Sequence, residues 1–514
     1  MIIVQHDFKK VTQVTRNEQT IPIQNKSIAK AITEVSQLFA DDLLVWVHHD
    51  IVNQLNVEEL DEIFHHKKIM ASFAPTNYFG KEVGYIEDSP FIKINREVTY
   101  PTWQMNSLVG GVHTEVINAT DGQIQSNSNF DYYLNSLAKS AMPQGIFCYA
   151  EPNLLKRTDA IHLDVPQAST KELFKFTAQH YKKRWTILLF LNFILFEKKW
   201  PILSFLRALP YQQKKLKEAS FEQIEVKSSK KVIVKKEIDV IIPTIGRKEH
   251  LYNVLKDFSK QSILPKRIII VEQNPEPNST SELDYLNNVT WPFEIIHKFI
   301  HQTGACNARN LALEEVKSEW TFLADDDNRF NFNLIEEIFR TITNYGSYTL
   351  TTAYLQAHEK NTNPYISQTT TFGAGNTFVK TTFLNDKGKV RFQMGYEFGY
   401  GEDVDFGMRL RNMGCDIIFT PEPNILHLKA SIGGFRTKFE FKWKNEKIQP
   451  KPSPTIMLFK MKHVTKQQLQ SYQLNLFLKS LSRRDLLTIK AKLHIFKQKW
   501  NVSQRWAKKI QDVD

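Results

Sequence analysis

The stretch IDVIIPTIGRKEHLYNVLKDFSKQSILPKRIIIV, residues 238–271, decides the fold class. Its two ends, residues 238–243 and 267–271, are nearly continuous runs of apolar and mostly β-branched residues, which is typical of parallel strands buried on both faces. Between them, apolar residues recur at the spacing of one helical face: Leu251, Val254, Leu255 and Phe258. This strand–helix–strand order predicts an α/β fold in which ligands bind at the carboxyl ends of the strands.

The same alternation continues to a strand that ends in three acids. Residues 293–296 and 321–323 have the pattern of further strands, and residues 307–316 that of a helix between them. The sequence DDD follows at residues 325–327, and in an extended chain its first and third side chains project to the same side. Two such carboxylates suit a hard divalent cation that also holds diphosphate oxygens. Taken alone, the motif is also compatible with a solvated turn.

Charged groups in three other segments extend this pattern. About 75 residues after the acids, Glu402 and Asp403 follow a glycine, and His427 follows the next predicted strand. Upstream of the acids, the segment from Gly304 to Arg309 has the pattern of a helix start whose amides and guanidinium face phosphate. These segments therefore add two acids, a guanidinium and an imidazole to the acidic motif.

Together these segments resemble the family 2 glycosyltransferases, which have the GT-A fold. The resemblance covers residues 238 to about 435 and rests on six short motifs: IIPT (241–244), IVEQN (270–274), ARN (308–310), DDD (325–327), GAGN (373–376) and GED (401–403). It implies an α/β class with a doubly wound mixed sheet of the GT-A type. It also implies an inverting enzyme that moves a sugar from a nucleotide-sugar donor to a hydroxyl of a glycan or glycolipid acceptor, in cell-surface polysaccharide synthesis.

The resemblance implies a role for each residue of these motifs. Asp403 is expected to be the base that takes the proton from the acceptor hydroxyl, and Glu402 to bind or orient the acceptor. The donor nucleotide is expected to contact Pro243, Thr244, Glu272, Gln273, Arg309 and Asp326. The expected cofactor is a divalent cation, Mn²⁺ or Mg²⁺, held by Asp325, Asp327 and His427.

Two departures from the family's pattern leave details open. Many relatives have an acid where this chain has Ala324, so the metal residues are either Asp325 with Asp327 or Asp326 alone. The second strand ends in EQN, residues 272–274, in place of the more usual acidic pair, and the preferred nucleobase stays open.

The amino-terminal part of the chain repeats part of the same plan. LLVWVHHD at residues 43–50 mirrors WTFLADDD at 320–327, and Asp131 falls near the place of the Glu-Asp motif, 81 residues after Asp50 where Asp405 lies 78 after Asp327. Only about 50 residues lead up to Asp50, against 88 from Asp239 to Asp327, and this shortfall is about one strand–helix–strand unit. We therefore expect a degenerate GT-A-like domain that has lost donor binding, with the His48, His49 and Asp50 group as an altered metal site.

The distribution of charge suggests four segments in this chain of 514 residues. The formal net charge is −7 over residues 1–155, +10 over 156–237, −5 over 238–435 and +14 over 436–514. These segments are predicted to be the degenerate domain (1–160), a helical linker (161–237), the catalytic domain (238–435) and a basic helical tail (436–514). The three cysteines are widely spaced, which argues against a disulfide framework and suits a reducing compartment.

The linker contains an apolar run, WTILLFLNFILF at residues 185–196, that is too short to span a bilayer. It is either a buried core helix or a helix in the membrane interface, together with a second apolar stretch at 202–209. The basic tail would add attraction to an anionic membrane surface. The first residues lack the pattern of a signal peptide, so we expect a cytoplasmic protein, peripheral on the inner face of the cytoplasmic membrane.

Three other functions are alternatives to a single-site transferase. A bifunctional polysaccharide polymerase would use an intact second site in the amino-terminal copy, and a non-catalytic glycan or membrane scaffold would use neither. The acids of the second copy argue against the scaffold. No nucleic-acid partner is expected, because the chain shows neither a helix-turn-helix pattern nor an aromatic and basic platform for single strands.

Overall fold

The computed structural model describes residues 1–120, 122–124, 129–159, 163–218, 220–386, 389–430, 439–481 and 488–511. Contacts divide the chain into two compact units. The first consists of Met1–Lys230 and Val464–Leu478, and the second of Lys231–His463 and Lys479–Asp514. Most of the segment predicted as a linker thus packs within the first unit, and the segment predicted as a tail is divided between the two.

The first unit is built on an eight-stranded mixed sheet. Its strands are β1 (Ile2–His6), β2 (Val11–Arg16), β3 (Gln19–Thr20), β4 (Leu43–His48), β5 (Ile69–Phe73), β6 (Tyr100–Pro101), β7 (Val109–His113) and β8 (Phe147–Ala150), in the order β3-β2-β1-β4-β7-β5-β8-β6. Its helices are α1 (Ile28–Leu38), α2 (Leu60–Ile63), α3 (Thr114–Asn118), α4 (Phe130–Ala141), α5 (Thr170–His180), α6 (Lys183–Asn192) and α7 (Ile202–Ala208). At the start of α5, Ser169 and Glu172 form a capping box that satisfies amides at the helix terminus.

The second unit is built on a nine-stranded mixed sheet. Its strands are β9 (Ile238–Thr244), β10 (Arg267–Gln273), β11 (Glu294–Ile300), β12 (Trp320–Ala324), β13 (Asn328–Arg329), β14 (Thr349–Leu355), β15 (Ser367–Gln368), β16 (Asn376–Lys380) and β17 (Ile418–His427). The order is β11-β10-β9-β12-β16-β14-β17-β13, with β15 paired to β17. Its helices are α8 (Lys248–Phe258), α9 (Tyr285–Asn288), α10 (Ala305–Leu313), α11 (Leu334–Tyr345), α12 (Thr382–Asn385), α13 (Glu402–Arg411) and α14 (Pro454–His463); α15 (Lys466–Lys479) belongs almost entirely to the first unit, and α16 (Ile489–Gln511) to the second.

The predicted α/β class with mixed sheets is confirmed. β9 and β10 run parallel and are buried along almost their whole length. Such burial is expected of parallel strands, because helices cover both of their faces. The predicted face of α8 is the buried one. The strands run one to four residues beyond the predicted ends, so that the polar residues after each apolar run are still held in the sheet.

The two sheets share an arrangement of six strands. In the first, the order β1-β4-β7-β5-β8-β6 has the pairings parallel, antiparallel, antiparallel, parallel and antiparallel. In the second, β9-β12-β16-β14-β17-β13 has the same sequence of directions. The sheets differ outside β1 and β9: β10 and β11 continue parallel, whereas β2 and β3 form an antiparallel hairpin. The first unit therefore lacks the two strands that extend the second sheet.

The apolar run at residues 185–196 forms α6 and a following π-helical turn, Phe193–Glu197. Only Thr186, Leu189 and Asn192 of α6 are buried, so this helix is neither wholly enclosed nor wholly exposed. No helix in the described part of the chain is both long enough and apolar enough to cross a bilayer.

Candidate functional site

The ends of three parallel strands place the predicted nucleotide-binding residues at one edge of the second sheet. Thr244, at the end of β9, lies beside Glu272 near the end of β10, and Pro243 lies beside Val271. β12 ends next to β9, and its three acids follow at once. Neighbouring parallel strands end at the same edge, so residues that are far apart in sequence meet there.

Asp326 is held rigidly at this edge. It accepts hydrogen bonds from Thr244 Oγ1 at 2.6 Å and from Arg247 at 2.5 Å. Burial raises its pKa to about 6, although the charge of Arg247 opposes the shift. Both partners occupy the carboxylate, so Asp326 fixes the loop after β9 and is not open toward solvent. Arg247 was not predicted; its signal in the sequence is a basic residue four positions after Pro243 in the loop that follows the first strand.

Asp327 and His427 lie together. His427 Nε2 is 3.5 Å from Asp327 Oδ1, while the Ala430 amide donates to Oδ2 at 2.9 Å. Burial opposes ionisation of Asp327, but these hydrogen bonds and the charge of Arg247 outweigh it and lower its pKa to about 2. Antiparallel pairing of β13 with β17 sets the distance, because it places His427 opposite Asn328, the residue after Asp327.

Asp325 faces away from this pair. Its carboxylate accepts from Arg309 at 3.0 Å and from the Tyr354 hydroxyl at 3.1 Å, and its side chain is 26% exposed. The Tyr354 ring stacks on His427 with centroids 4.4 Å apart, so the tyrosine joins Asp325 to the imidazole. A Cβ at position 375 would lie 2.2 Å from Asp325 Oδ2, which explains the glycine in the GAGN turn.

The residues predicted to hold a divalent cation fit one in part. Carboxylate and imidazole groups are suitable ligands for Mn²⁺, and Asp327 and His427 offer two of them side by side. Asp325 does not complete a cluster with them. Among the described residues, the groups of three with ligand atoms within 4.8 Å of one another are His48, His49 and Asp50, and Asp41, His113 and Glu115, all in the first unit.

Glu402 and Asp403 form the first turn of α13, which Gly401 precedes with a φ of 118°. The Ala374 amide donates to Asp403 Oδ2 at 3.2 Å, whereas Oδ1 is buried without a hydrogen-bond partner among the described residues. Burial raises the pKa of Asp403, and the charge of Arg309 opposes that shift. Burial and the neighbouring Asp403 raise the pKa of Glu402 to about 7.

Arg309 links the acidic motif to Asp403. It is 8% exposed, binds Asp325, and lies near enough to Asp403 and Glu402 for its charge to act on both pKa values. Its Nε atom is also buried without a partner within the described part of the chain. Arg309 Nε and Asp403 Oδ1 therefore both have hydrogen-bonding capacity that the described residues do not use.

The amides at the start of α10 do not face a free anion site, which corrects one expectation. Glu397 accepts hydrogen bonds from Cys306 N at 3.1 Å and Asn307 N at 2.8 Å, so a carboxylate of the chain already occupies this helix terminus. Gly304 has a φ of 138°, and a Cβ there would lie 2.3 Å from Glu397. Gln273 Oε1 accepts from Gly304 N at 2.6 Å and ties the end of β10 to this turn.

Glu272 is the other polar side chain near the end of β10. It accepts from Ser281 Oγ at 2.6 Å and lies 2.9 Å from His297 Nε2. Burial would raise its pKa, but these hydrogen bonds lower it below the ordinary value. Two tyrosines lie just before α13: Tyr396 is fully buried and donates to Asp405, whereas Tyr400 is 64% exposed.

The corresponding place in the first unit has different chemistry. Asp131 is the second residue of α4, as Asp403 is of α13, and each accepts from an amide two residues before the matching strand: Ser107 before β7 and Ala374 before β16. Asp131 thus corresponds to Asp403 and not to Asp405, with which the sequence spacing compared it. Both Asp131 oxygens are bonded to Ser107, to its amide at 2.7 Å and its hydroxyl at 2.8 Å.

At the end of β4, histidines replace the first two acids. His48 lies beside His6 and packs on Phe8 with ring centroids 4.3 Å apart, and His49 lies 3.3 Å from Asp50. Burial and the neighbouring His49 lower the pKa of His48. His48 is thus buried among rings, with Asp50 exposed at the surface.

Comparison with known proteins supports the family resemblance. Residues 239–405 match the family model described as Glycosyl transferase family 2. Among solved structures, the chain is similar to S. aureus TarS 1–349 in complex with UDP-GlcNAc, with 15% identity, a TM-score of 0.35 and coverage of 51% of this chain and 81% of that chain. For S. aureus TarS 1–349 alone these values are 14%, 0.34, 53% and 91%. No curated protein matches the chain.

Proposed function

We propose that this protein moves a sugar from a nucleotide-sugar donor to a hydroxyl group of a glycan or glycolipid acceptor, because residues 239–405 match the model of glycosyltransferase family 2. The observation that carries the proposal is Asp403: a buried carboxylate with one oxygen held by an amide and the other without a partner in the described structure. An acceptor hydroxyl supplies the missing partner.

In the proposed reaction Asp403 acts as the general base. It accepts the proton of the acceptor hydroxyl as that oxygen forms a bond to the anomeric carbon and the bond to the diphosphate oxygen breaks. One base and no covalent nucleophile give inversion at the anomeric carbon. Burial raises the pKa of Asp403, which strengthens it as a base, and the charge of Arg309 opposes that rise.

We propose that the donor lies along the ends of β9, β10 and β12. Pro243, Thr244, Glu272 and Gln273 line the nucleoside part of this edge, and Asp326 keeps its loop in place through Arg247. Asp327 and His427 would hold the cation. Asp325 is a third proposed ligand that must exchange its bond to Arg309 for one to the ion. When bound, the ion supplies positive charge that stabilises the departing diphosphate.

We also propose that each chain has one active site, on the basis of the same geometry. In the first unit Asp131 has no free oxygen for an acceptor, and a hairpin stands where the second unit has β10 and β11. These observations favour a single-site transferase over a bifunctional polymerase. We propose that it contributes to cell-surface polysaccharide synthesis from the cytoplasmic side.

A panel of nucleotide-sugars with Mn²⁺ or Mg²⁺ tests the proposal. We expect one donor to raise the thermal unfolding midpoint only in the presence of the metal, and to release nucleoside diphosphate when acceptor glycans are added. Asp403→Asn should keep the metal-dependent shift and lose the release. If no donor in the panel gives a metal-dependent shift or turnover, the protein is a scaffold and the proposal is wrong.

A further inference from the structure

Exposed apolar side chains are concentrated in one part of the first unit. Eight large ones, each more than a third exposed, lie between residues 187 and 211, and we call them the apolar face: Ile187, Leu195, Trp200, Ile202, Leu203, Leu206, Leu209 and Tyr211. Across all described residues there are 20 such side chains, so two fifths of them fall within 25 positions. Exposed patches of this kind mark sites that bind another apolar surface.

The apolar face belongs to a packed substructure. On its inner side Leu189, Phe193 and Ala208 are buried, and Phe193 packs on Phe174 of α5 with ring centroids 5.7 Å apart. Phe190 of α6 stacks on Phe205 of α7 at 4.8 Å, which joins the two helices. The helices therefore have enough inward contacts to hold their place, and the outward leucines contribute nothing to this core.

The charge around the apolar face is strongly positive. Residues 182–217 contain nine Lys and Arg and a single acid, Glu197. That acid points inward: it accepts from the Tyr85 hydroxyl at 2.7 Å and lies 3.6 Å from Lys81. The exposed cations Lys182, Lys183 and Arg184 lie at the start of α6, and Lys198 and Lys199 stand directly before Trp200.

We propose that this surface docks on an anionic lipid bilayer. The leucines and isoleucines enter the boundary between headgroups and acyl chains, Trp200 lies at headgroup level, and the flanking lysines contact lipid phosphates. Both helices are short, and basic residues flank their exposed apolar side chains, as expected for a helix pair that lies in the interface. The inference does not depend on the proposed sugar transfer, since it uses none of the residues of the second unit.

Charge complementarity selects a bilayer over a second copy of the chain. A two-fold contact through the apolar face would bring the same excess of positive charge from both copies together, because each copy contributes the same surface. Like charges at an interface oppose association. An anionic bilayer instead offers both an apolar layer and phosphate groups that match the lysines.

Flotation of the full chain with vesicles tests the inference. We compare vesicles of phosphatidylcholine alone with vesicles that also contain phosphatidylglycerol, and the wild type with the double variant Leu203→Asp, Leu206→Asp. The matched control is Val57→Asp, which places an acid at a similarly exposed apolar position of the same unit (50% exposed) outside the apolar face. Thermal unfolding midpoints of all three proteins should agree, because the replaced side chains are exposed.

We expect the wild type and the control to float with the anionic vesicles, and the double variant to bind at least about tenfold more weakly. Lys198→Glu with Lys199→Glu should weaken binding to the anionic vesicles as well. The inference is wrong if the wild type stays in solution with both vesicles, or if the double variant floats as the wild type does. It is also wrong if light scattering without lipid shows a dimer that the double variant dissociates, which would assign the face to a second copy.

Discussion

Two aspartates, Asp131 in the first unit and Asp403 in the second, stand at the same place in two related sheets and have opposite surroundings. Each is the second residue of a helix and accepts from an amide two residues before a strand in the same sheet position. Ser107 satisfies both oxygens of Asp131, whereas Asp403 keeps one oxygen unpaired among the described residues. The Ser107 hydroxyl thus pairs with the second oxygen of Asp131, whereas Ala374 at the matching position has no side-chain donor for Asp403.

The strongest test of this comparison is the pair Asp403→Asn and Asp131→Asn. We expect Asp403→Asn to lower kcat for nucleoside diphosphate release by about 10³-fold or more, since it removes the general base. Asp131→Asn should leave kcat and KM unchanged, because no substrate reaches that side chain. Equal losses in the two variants, or partial transfer that only Asp131→Asn removes, would show that both units catalyse.

The pH dependence of the free energy of unfolding tests whether the Asp131 carboxyl is buried as the structure shows. Burial raises its pKa to about 7, and Glu172 adds to the shift while both Ser107 hydrogen bonds oppose it. Because the pKa of Asp131 is higher in the folded than in the unfolded protein, its protonated form adds to the stability of the fold. This contribution is fully present below about pH 4 and is lost as pH rises through 7. From pH 4 to 8 the wild type should therefore lose up to roughly 4 kcal/mol relative to Asp131→Asn. Urea unfolding of both proteins at several pH values measures the difference, and parallel curves would contradict it.

The loops after β1 and β9 are a further difference between the two units. The loop after β9 contains Arg247, which binds the acidic motif, and the loop after β1 has no such arginine. Arg247→Met leaves Asp326 and Asp327 without their cation at a buried position, and we expect it to lower the free energy of unfolding by about 3 kcal/mol. Arg329→Met breaks a more exposed pair with Asp257 and should cost less than about 1 kcal/mol. Chemical denaturation compares them; equal costs would mean that Arg247 is not structurally important.

The smallest expected effect concerns the metal. His427→Ala should raise the Mn²⁺ concentration needed for half-maximal donor binding by roughly tenfold, because it removes one of two adjacent ligand groups. His48→Ala removes a histidine of the group at the end of β4 in the first unit and should have no effect on this requirement. Calorimetric titration of Mn²⁺ in the presence of donor gives both values, and an effect of His48→Ala alone would place the functional ion in the first unit.

Residue patterns predicted the positions of the strands and helices well, because these elements have a periodic pattern of burial. Periodicity reports which face of a strand or helix is buried, so α8 and β9 to β12 follow from the chain alone. Contacts between distant segments leave no such periodic trace. Tyr354 joins Asp325 to His427 through a parallel pairing of β14 with β17, and Glu397 reaches α10 from 90 residues away.

The comparison of Asp131 with Asp405 shows the limit of counting residues. A count gives separations of 81 and 78, but loops of different length precede the two helices, so similar counts do not fix the helix position. The amide contacts at Ser107 and Ala374 identify the partner as Asp403. Asp405 has a structural role instead, since Tyr396 donates to it and His463 of α14 lies 2.7 Å away.

The number of donor molecules bound by each chain tests the central claim most directly. Calorimetric titration of the full chain with nucleoside diphosphate and Mn²⁺ should give one site, which Asp327→Ala removes and Asp50→Ala leaves unchanged. Two sites per chain, or loss of binding in Asp50→Ala with retention in Asp327→Ala, would contradict the account that the second unit alone holds the donor.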